Sequence, residues 1–485
     1  MFEWRPWRLS RRGLVTLGVL GGSFLAAIEA TIVATAMPTV VTQLGGLAHY
    51  SWVFSAYILT STVTVPLWGK LADLHGRRPF YTVAVALFLA GSALCGTAQS
   101  MPQLIVFRAL QGLGAGGLLP LGMTILGDMY TLQERARIQG LFSGVWGVAS
   151  IVGPVVGGYV TEHVSWRWVF LLNLPFGVAA AVLVGANLVD VARRTDARLD
   201  YRGAVLFMAS IACLLIALGQ SGASDAVLGM GALLAVYGLA LLLGCLFIRV
   251  EARSAEPIVP FDLLRDPLVS AVTVSGFLIG IALFGLLSFV PLFVQGALGG
   301  SATDAGRALS PLLFGWVMMS IVTSRILPRV GFRRLIISGI GLVCLGFVGL
   351  VGLDHTLAGH WLSVVLGLMG IGLGMTMLSL LLALQQAVPR DRLGVATSMA
   401  QFNRMVGGAV GVAVMGAVVA ASLPPGGEEQ PLLLEGALHR AFMVAGVFAA
   451  FALLASFRIP AGVPEQRDEL RPLEESADGF RSHKY

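Results

Sequence analysis

The chain has 485 residues, of which 56% are hydrophobic and only 12% are charged. With a mean hydropathy of +0.83, this composition excludes a soluble globular protein and indicates an all-α polytopic membrane protein. The net charge of +6 comes without a basic cluster interleaved with aromatic residues, so no nucleic-acid partner is expected. The four cysteines show no Cys-x-x-Cys spacing, and neither a disulfide framework nor a metal site is expected.

Apolar windows of about 20 residues, each able to cross roughly 30 Å of hydrocarbon, can be laid about fourteen times along the chain. They cover residues 14–41, 52–70, 80–99, 104–127, 139–161, 168–189, 203–220, 227–248, 268–293, 307–327, 334–353, 361–385, 395–420 and 437–457. An even number of spans places both termini on one side. Lys and Arg, which accumulate in cytoplasmic loops, concentrate on that side. We therefore expect a multi-pass protein of the cell (inner or plasma) membrane with both termini in the cytoplasm. The first apolar run is too long for a cleaved secretory signal and is expected to be retained.

Glu29 is the one acidic residue that lies deep in any predicted span. An acid at the bilayer centre costs roughly 2.5 kcal/mol or more, so it is a functional-site hypothesis by default. Burial penalises the charged form of a carboxylate and lets it hold a proton, whereas a nearby cation opposes this effect. The alternative is a protonated Glu29 that only hydrogen-bonds a neighbouring helix.

The loop after the second span packs glycines, an acid and cations into one short turn. It reads Gly69-Lys70-Leu71-Ala72-Asp73-Leu74-His75-Gly76-Arg77-Arg78. Gly76 permits a positive φ there. A carboxylate beside an arginine pair at helix ends can hold two helix bundles together on one face, and it must separate when they part. A plain positive-inside loop would explain Arg77 and Arg78 but not the spacing of Gly69, Asp73 and Gly76.

The fourth span carries Arg108 about one turn inside the outer membrane boundary, followed by Gln111 and a stripe of small residues. An always-charged guanidinium at this depth needs a partner or a water-filled cavity. Alternatively, its side chain extends to the membrane interface.

The fifth span contains Gly153-Pro154-Val155-Val156-Gly157-Gly158. Proline removes a backbone donor and glycines thin the helix surface, so this helix is expected to bend and to pack tightly. The stretch from Gly140 to Gly158 resembles the stretch from Gly394 to Val412, at a shift of about 254 residues. A second pattern consists of Gly112, Gly114 and Gly116, which recur as Gly370, Gly372 and Gly374. Both recurrences indicate two related halves of six helices, which is one known plan of transporters.

Arg404 lies about nine residues into its span, beside Gln401 and Asn403, and is a candidate to line a cavity from the second half. The alternative is that it pairs with helix-end carbonyls or Gln side chains purely for packing. The full set of candidate substrate-cavity residues is Glu29, Thr31, Tyr57, Gln111, Asn403 and Arg404.

The repeat leaves two spans between the halves as an inserted pair. The expected organisation is a cytoplasmic N-terminus (1–12), an N-terminal six-helix bundle (13–190), an inserted two-helix hairpin with its flanking loop (191–250), a cytoplasmic linker (251–267), a C-terminal six-helix bundle (268–457) and a cytoplasmic tail (458–485). The tail carries mixed charge and few apolar residues and is expected to be disordered.

These motifs resemble those of the major facilitator superfamily and, within it, of the fourteen-helix drug:proton antiporter family of multidrug efflux type. Ile28-Glu29-Ala30-Thr31-Ile32-Val33 is similar to the family's first-helix signature, with Glu29 in place of the usual Asp. The Gly69–Arg78 loop, Arg108–Ala115 and Gly153–Gly158 are similar to the superfamily's loop motif, its fourth-helix motif and the antiporter motif of the fifth helix. The resemblance covers nearly all of residues 13–457.

The resemblance implies a major facilitator fold, with two six-helix bundles plus the inserted two-helix hairpin, that works by alternating access. It implies that Glu29 takes up a proton, that Arg108 tunes that site, and that Asp73 and Arg77 latch the outward-facing state. The expected function is proton-coupled export of lipophilic or cationic drugs and toxic compounds, the activity that underlies antibiotic resistance by efflux. The proton gradient drives it without a cofactor. The expected partners are a lipophilic small molecule, protons and membrane lipid, and the protein is expected to be a monomer.

Other functions stay open at this point. Fold does not fix substrate, so the chain could export a native lipid, a siderophore or a metabolite. Import is a further alternative, although the Gly153–Gly158 motif favours antiport. No HExxH motif, nucleophile and base pair or repeated filter sequence supports an enzyme or a channel, so no enzymatic activity is expected.

Overall fold

The computed structural model describes residues 10–130, 132–189, 201–221, 229–254, 263–353, 358–388, 393–424 and 430–460. Its helices are α1 (Arg11–Leu44), α2 (Tyr50–His75), α3 (Arg77–Thr97), α4 (Met101–Met129), α5 (Leu132–His163), α6 (Arg167–Leu171), α7 (Asn173–Asn187), α8 (Tyr201–Ser221), α9 (Met230–Glu251), α10 (Pro267–Leu292), α11 (Ala302–Val330), α12 (Phe332–Val351), α13 (Ala358–Ala387), α14 (Leu393–Ser422) and α15 (Pro431–Ser456). A π-helical turn, Phe293–Ala297, extends α10. Each of the three predicted cytoplasmic segments lies partly outside the described residues: positions 1–9 of the N-terminus (1–12), 255–262 of the linker (251–267) and 461–485 of the tail (458–485).

Eleven helical segments of the described chain are long and apolar enough to cross a membrane, and α6 with α7 counts as one of them. The all-helical, multi-pass architecture predicted from composition is therefore confirmed. The predicted window 168–189 corresponds to α6 and α7, which are interrupted at Leu172.

Glycines end helices at equivalent places in the two parts of the chain. Gly76, between α2 and α3, has φ +102°, as predicted for that turn. Gly331, between α11 and α12, has φ +85°. Positive φ is strained for residues with a Cβ, so both sharp helix-to-helix turns need glycine.

The two repeated glycine runs make equivalent contacts. Gly112 and Gly116 of α4 leave room for the backbone of α2, and Gly114 leaves room for that of α3. In the same order, Gly370 and Gly374 of α13 face α11, and Gly372 faces α12. A Cβ at any of these six positions would lie within 3 Å of a neighbouring backbone atom. The first half of the protein, α1 to α7, and the second half, α10 to α15, therefore pack their central helices alike.

The two halves are joined near one face of the molecule. We call the side where α1 begins and α15 ends the terminal face, and the other side the opposite face. Thr39 of α1 donates to Oε1 of Gln295 at 3.2 Å, and Tyr50 donates to the carbonyl oxygen of Ser288. The backbone N–H of Thr303 donates to Oε2 of Glu162, also at 3.2 Å. All of these contacts lie toward the opposite face, which is closed in this structure.

The two most extensive lines of contact between the halves are α2 against α14 and α5 against α11. Helices α8 and α9 pack against each other and lie beside the first of these lines. The ring of Phe207 on α8 lies 5.2 Å from that of Phe247 on α9 and 5.1 Å from that of Phe402 on α14. Val63 of α2 completes this apolar cluster. Helix α8 thus contacts both halves, and α9 packs against α8.

Candidate functional site

Glu29 and Arg108 form an ion pair inside the first half. Glu29 on α1 is 1% exposed and Arg108 on α4 is 2% exposed, and Nη1 of Arg108 donates to Oε1 of Glu29. Either charge alone would cost several kcal/mol, about the penalty estimated for an unpaired buried ion. The structure excludes the alternative in which Arg108 extends to the membrane interface, because its guanidinium is buried against Glu29.

Neutral side chains from α3, α4 and α7 complete a closed polar network around this pair. Nδ2 of Asn173 donates to Oε2 of Glu29 at 2.6 Å and lies 3.0 Å from Oγ of Ser92. Nη1 of Arg108 also donates to Oε1 of Gln111 at 2.7 Å, and Nε2 of Gln111 donates to Oγ of Ser92 at 3.2 Å. Both oxygens of Glu29 accept hydrogen bonds, an arrangement that satisfies an ionised carboxylate.

Arg108 also contacts α2 and α6. Its Nε donates to the carbonyl oxygen of Val53 at 3.2 Å. Its guanidinium lies 4.0 Å above the centre of the Tyr57 ring and 5.8 Å from that of Phe170. A planar guanidinium suits such stacking and forked hydrogen bonding, which an ammonium cannot reproduce. Arg108 therefore links α1, α2 and α4 at one point.

The candidate cavity residues of the first half occupy different environments. Gln111 is fully buried inside the network, whereas Tyr57 is half-buried. Thr31 is buried with its side chain against Gly153 of α5, and its Oγ1 donates to the carbonyl oxygen of Ile28 at 3.1 Å.

Asn173 and Ser92 were not predicted as site residues. The available signal was weak: Asn173 is a neutral amide within an otherwise apolar window, at the interruption between α6 and α7.

Arg404 and its neighbours form a separate group in the second half. Nη2 of Arg404 donates to Oε1 of Gln401, and Nη1 lies 3.6 Å from Sδ of Met377 on α13. Nδ2 of Asn403 is buried and has no hydrogen-bond partner among the described residues. No hydrogen bond of the described chain joins this group to Glu29 or Arg108.

The loop after α2 places Arg77 against α4. Arg77 forms an ion pair with Asp128, and its Nη1 donates to the carbonyl oxygen of Thr124 at 3.0 Å. Asp128 was not predicted as a site residue. The sequence feature that could have indicated it is an acidic residue directly after the fourth predicted span, 104–127. The side chain of Asp73 lies outside the described residues, so its predicted pairing with Arg77 stays a prediction. Arg78 is exposed, and the position of a Cβ at Gly69 faces open space.

The glycine and proline motif of α5 serves two different contacts. Gly153 and Gly157 leave room for α1 within the first half. Gly158 leaves room for the backbone of Ala302 and Thr303 on the α11 side, and Gly306 of α11 packs against the backbone of Pro154. The tight packing predicted for this motif is confirmed, and it joins the two halves as well as helices of one half.

No group of three or more His, Cys, Asp or Glu side chains that could hold a metal ion occurs in the part of the chain that the structure describes. The described residues at the site offer a buried carboxylate, its arginine and the amides around them.

Comparison with known proteins identifies the fold and the broad role. The model of the Major Facilitator Superfamily matches residues 19–412. Multidrug transporter protein MdtP of Bacillus subtilis (strain 168) is 37% identical over 410 residues, covering 84% of this chain and 76% of that protein. Multidrug resistance protein 3 of the same organism is 35% identical over 411 residues, covering 83% and 79%. A bacterial homolog to the human lysosomal transporter Spinster, solved in an inward-facing and unoccupied conformation, superimposes with a TM-score of 0.67 at 15% identity, over 93% of this chain and 98% of that one. The chain therefore belongs to the Major Facilitator Superfamily and is a membrane transporter, not an enzyme.

Proposed function

We propose that this protein exports lipophilic or cationic drugs and toxic compounds by proton-coupled alternating access, with Glu29 as the coupling acid. The observation that carries the proposal is the buried ion pair of Glu29 and Arg108 with its closed polar network. Relatives that carry the names multidrug transporter and multidrug resistance protein support the substrate class.

The coupling follows from the charge balance of the pair. A guanidinium is charged at any physiological pH, so a proton on Glu29 would leave Arg108 with Gln111, Val53 and Tyr57 as its remaining partners. The protonated and ionised forms therefore favour different arrangements of α1, α2 and α4. A substrate that binds one arrangement better shifts the proton occupancy of Glu29, and proton uptake shifts substrate affinity in return. Substrate arriving from the cytoplasm displaces the proton inward, and protonation from outside displaces the substrate outward.

The proposed topology has fourteen spans, with bundles at 13–190 and 268–457 and an inserted hairpin within 191–250. The helices α2, α5 and α8, of 26, 32 and 21 residues, would add three spans to the eleven apolar segments. Each is at least about 30 Å long at 1.5 Å per residue. The terminal face is then cytoplasmic, the protein lies in the cell membrane as a monomer, and the structure is closed to the outside.

In this proposal the loop Gly69–Arg78 acts as a cytoplasmic latch. While the opposite face is closed, Arg77 is held within its own half by Asp128. When the cytoplasmic side closes, Asp73 and Arg77 hold the outward-facing state.

Proton flux in energised inverted membrane vesicles tests the proposal. Tetraphenylphosphonium, a lipophilic cation, is added to vesicles that contain the parent protein or Glu29→Gln. Asp266→Asn is the matched control, because it also removes one carboxylate but keeps a side chain able to cap α10. We expect proton release with the parent and with Asp266→Asn, and none with Glu29→Gln. Proton-dependent export that persists in Glu29→Gln would refute the role of Glu29.

A further inference from the structure

Arg404 is a cation inside a membrane helix that forms no ion pair with any acid among the described residues. It lies about 11 residues into α14, roughly 16 Å along the helix axis, and its side chain is half-buried. The ion pairs within the described part of the chain are Arg77 with Asp128, Arg108 with Glu29 and Arg307 with Asp304. Arg404 takes part in none of them.

The hydrogen-bond partners of Arg404 are neutral and few. Oε1 of Gln401 accepts from one nitrogen, and the thioether of Met377, a weak acceptor, lies near another. The remaining N–H groups of this five-donor side chain have no acceptor among the described residues. On the same helical turn, Nδ2 of Asn403 is a second buried donor without a partner. This part of α14 therefore has more donors than acceptors.

Arg108 shows that this fold can provide charged and hydrogen-bonding partners for a buried arginine. Arg108 has a carboxylate, an amide oxygen, a carbonyl oxygen and an aromatic ring as partners. An uncompensated membrane cation is costly and commonly marks a substrate or ion pathway. The hydrogen bonds that join the halves lie toward the opposite face and leave Arg404 on the side of the terminal face.

We propose that Arg404 binds the oxyanion group, such as a carboxylate, of an otherwise lipophilic ligand. The planar guanidinium can hold both oxygens of a carboxylate, and Met377 offers an adaptable apolar surface beside it. The inference rests on the proposed function only in taking this ligand to be the transported compound. An anionic lipid headgroup presents the same chemistry.

Equilibrium binding to the full-length protein in phosphatidylcholine nanodiscs tests the inference without any proton gradient. The probes are 1-pyrenebutyrate and its methyl ester, which differ only in the anionic group. We expect the parent to bind the acid at least about tenfold more tightly than the ester, as a charge-assisted pair implies. Arg404→Gln should bind both equally, and Arg404→Lys should keep an intermediate preference. Arg307→Gln, which removes an exposed arginine, should behave as the parent.

Three outcomes would overturn the inference: equal affinity of the parent for acid and ester, an unchanged preference in Arg404→Gln, or no binding of either probe. If Arg404→Gln does not fold, Arg404→Lys decides, since a full parental preference there would also count against a forked contact. In nanodiscs with phosphatidylglycerol, a reduced preference would assign the site to lipid headgroups, and an unchanged one to a diffusible carboxylate. This binding assay needs no proton gradient, and the proton-flux assay uses a cation that carries no oxyanion, so failure of proton coupling and failure of this inference are separable.

Discussion

Gly158 of α5 should control closure of the opposite face, whereas its neighbour Gly157 should not. Comparing Gly158→Val with Gly157→Val tests this difference. Gly158 faces the backbone of α11 across the closed opposite face, whereas Gly157 faces Ile32 and Thr35 of α1 within the first half. Valine at 158 should therefore open the opposite face. Valine at 157 should lower the stability of the first half without changing which face is closed.

The magnitude follows from the distances. A Cβ at Gly158 would lie 2.8 Å from Cα of Thr303 and nearer still to the carbonyl oxygen of Ala302, whereas ordinary contacts are 3.4 Å or more. These are backbone atoms that cannot rotate away, so the cost is that of overpacking, about 1–3 kcal/mol. At about 1.4 kcal/mol for each factor of ten, the ratio of closed to open molecules should fall about 5- to 150-fold.

Pulsed EPR provides the assay, with spin labels at the exposed positions Val164 and Arg307 in a background without native cysteines. The distance between labels should lengthen in Gly158→Val and stay parental in Gly157→Val. Gly144→Val is the control on the same helix, because its Cβ would meet no atom within 4 Å. A parental distance distribution in Gly158→Val, or the same lengthening in Gly157→Val, would refute the reasoning.

Three further predictions concern the polar contacts. Asn173→Leu removes the donor to Oε2 of Glu29, and a hydrogen bond to a charged group is worth about 1.5–3 kcal/mol. Drug-stimulated proton release should therefore fall about tenfold or more. Asn187→Leu, on the same helix, should leave proton release unchanged. Arg108→Lys keeps the positive charge but loses the planar guanidinium with its several donors, so export measured in vesicles should be strongly reduced. Export at the parental rate would contradict the need for a guanidinium. Hydrogen bonding to Thr303 lowers the pKa of Glu162. Glu162 therefore contributes fully to closure of the opposite face at pH values above the ordinary pKa of glutamate, and this contribution is lost as the pH falls through the lowered pKa. EPR should show that the opposite face of the parent opens at acidic pH and that Glu162→Gln lacks this pH-dependent opening.

The features that could be predicted from the sequence are those that depend on the physical chemistry of a single residue, such as its backbone conformation or its charge. Gly76 had to occupy a turn that only glycine tolerates, and the structure gives it a positive φ. Glu29 and Arg108 are opposite charges in apolar spans, and each needs a partner because the bilayer offers none. The pairing of these two residues is therefore the expected solution.

Residues whose role depends on how helices meet could not be predicted in the same way. Asn173 and Ser92 are neutral, so a membrane span tolerates them at modest cost. Only the packing of α7 against α1 and α3 brings them into the network around Glu29. Asp128 lies at a helix end, where acids are common, and the fold alone brings it to Arg77. The two contact faces of the α5 motif likewise depend on how that helix meets α1 and α11.

The placement of α8 and α9 has a consequence for compounds that dissolve in the bilayer before they meet the protein. Phe207, Phe247 and Phe402 cover the line between α2 and α14 with apolar side chains. Among the described helices, none covers the line between α5 and α11 in this way. A solute that diffuses laterally within one leaflet thus meets one flank covered by α8 and α9 and another, at α5 and α11, that no described helix covers. The halves that pack alike inside are therefore unequal at their perimeter. Under the proposed function, we expect a lipophilic compound to enter laterally at the α5 and α11 flank.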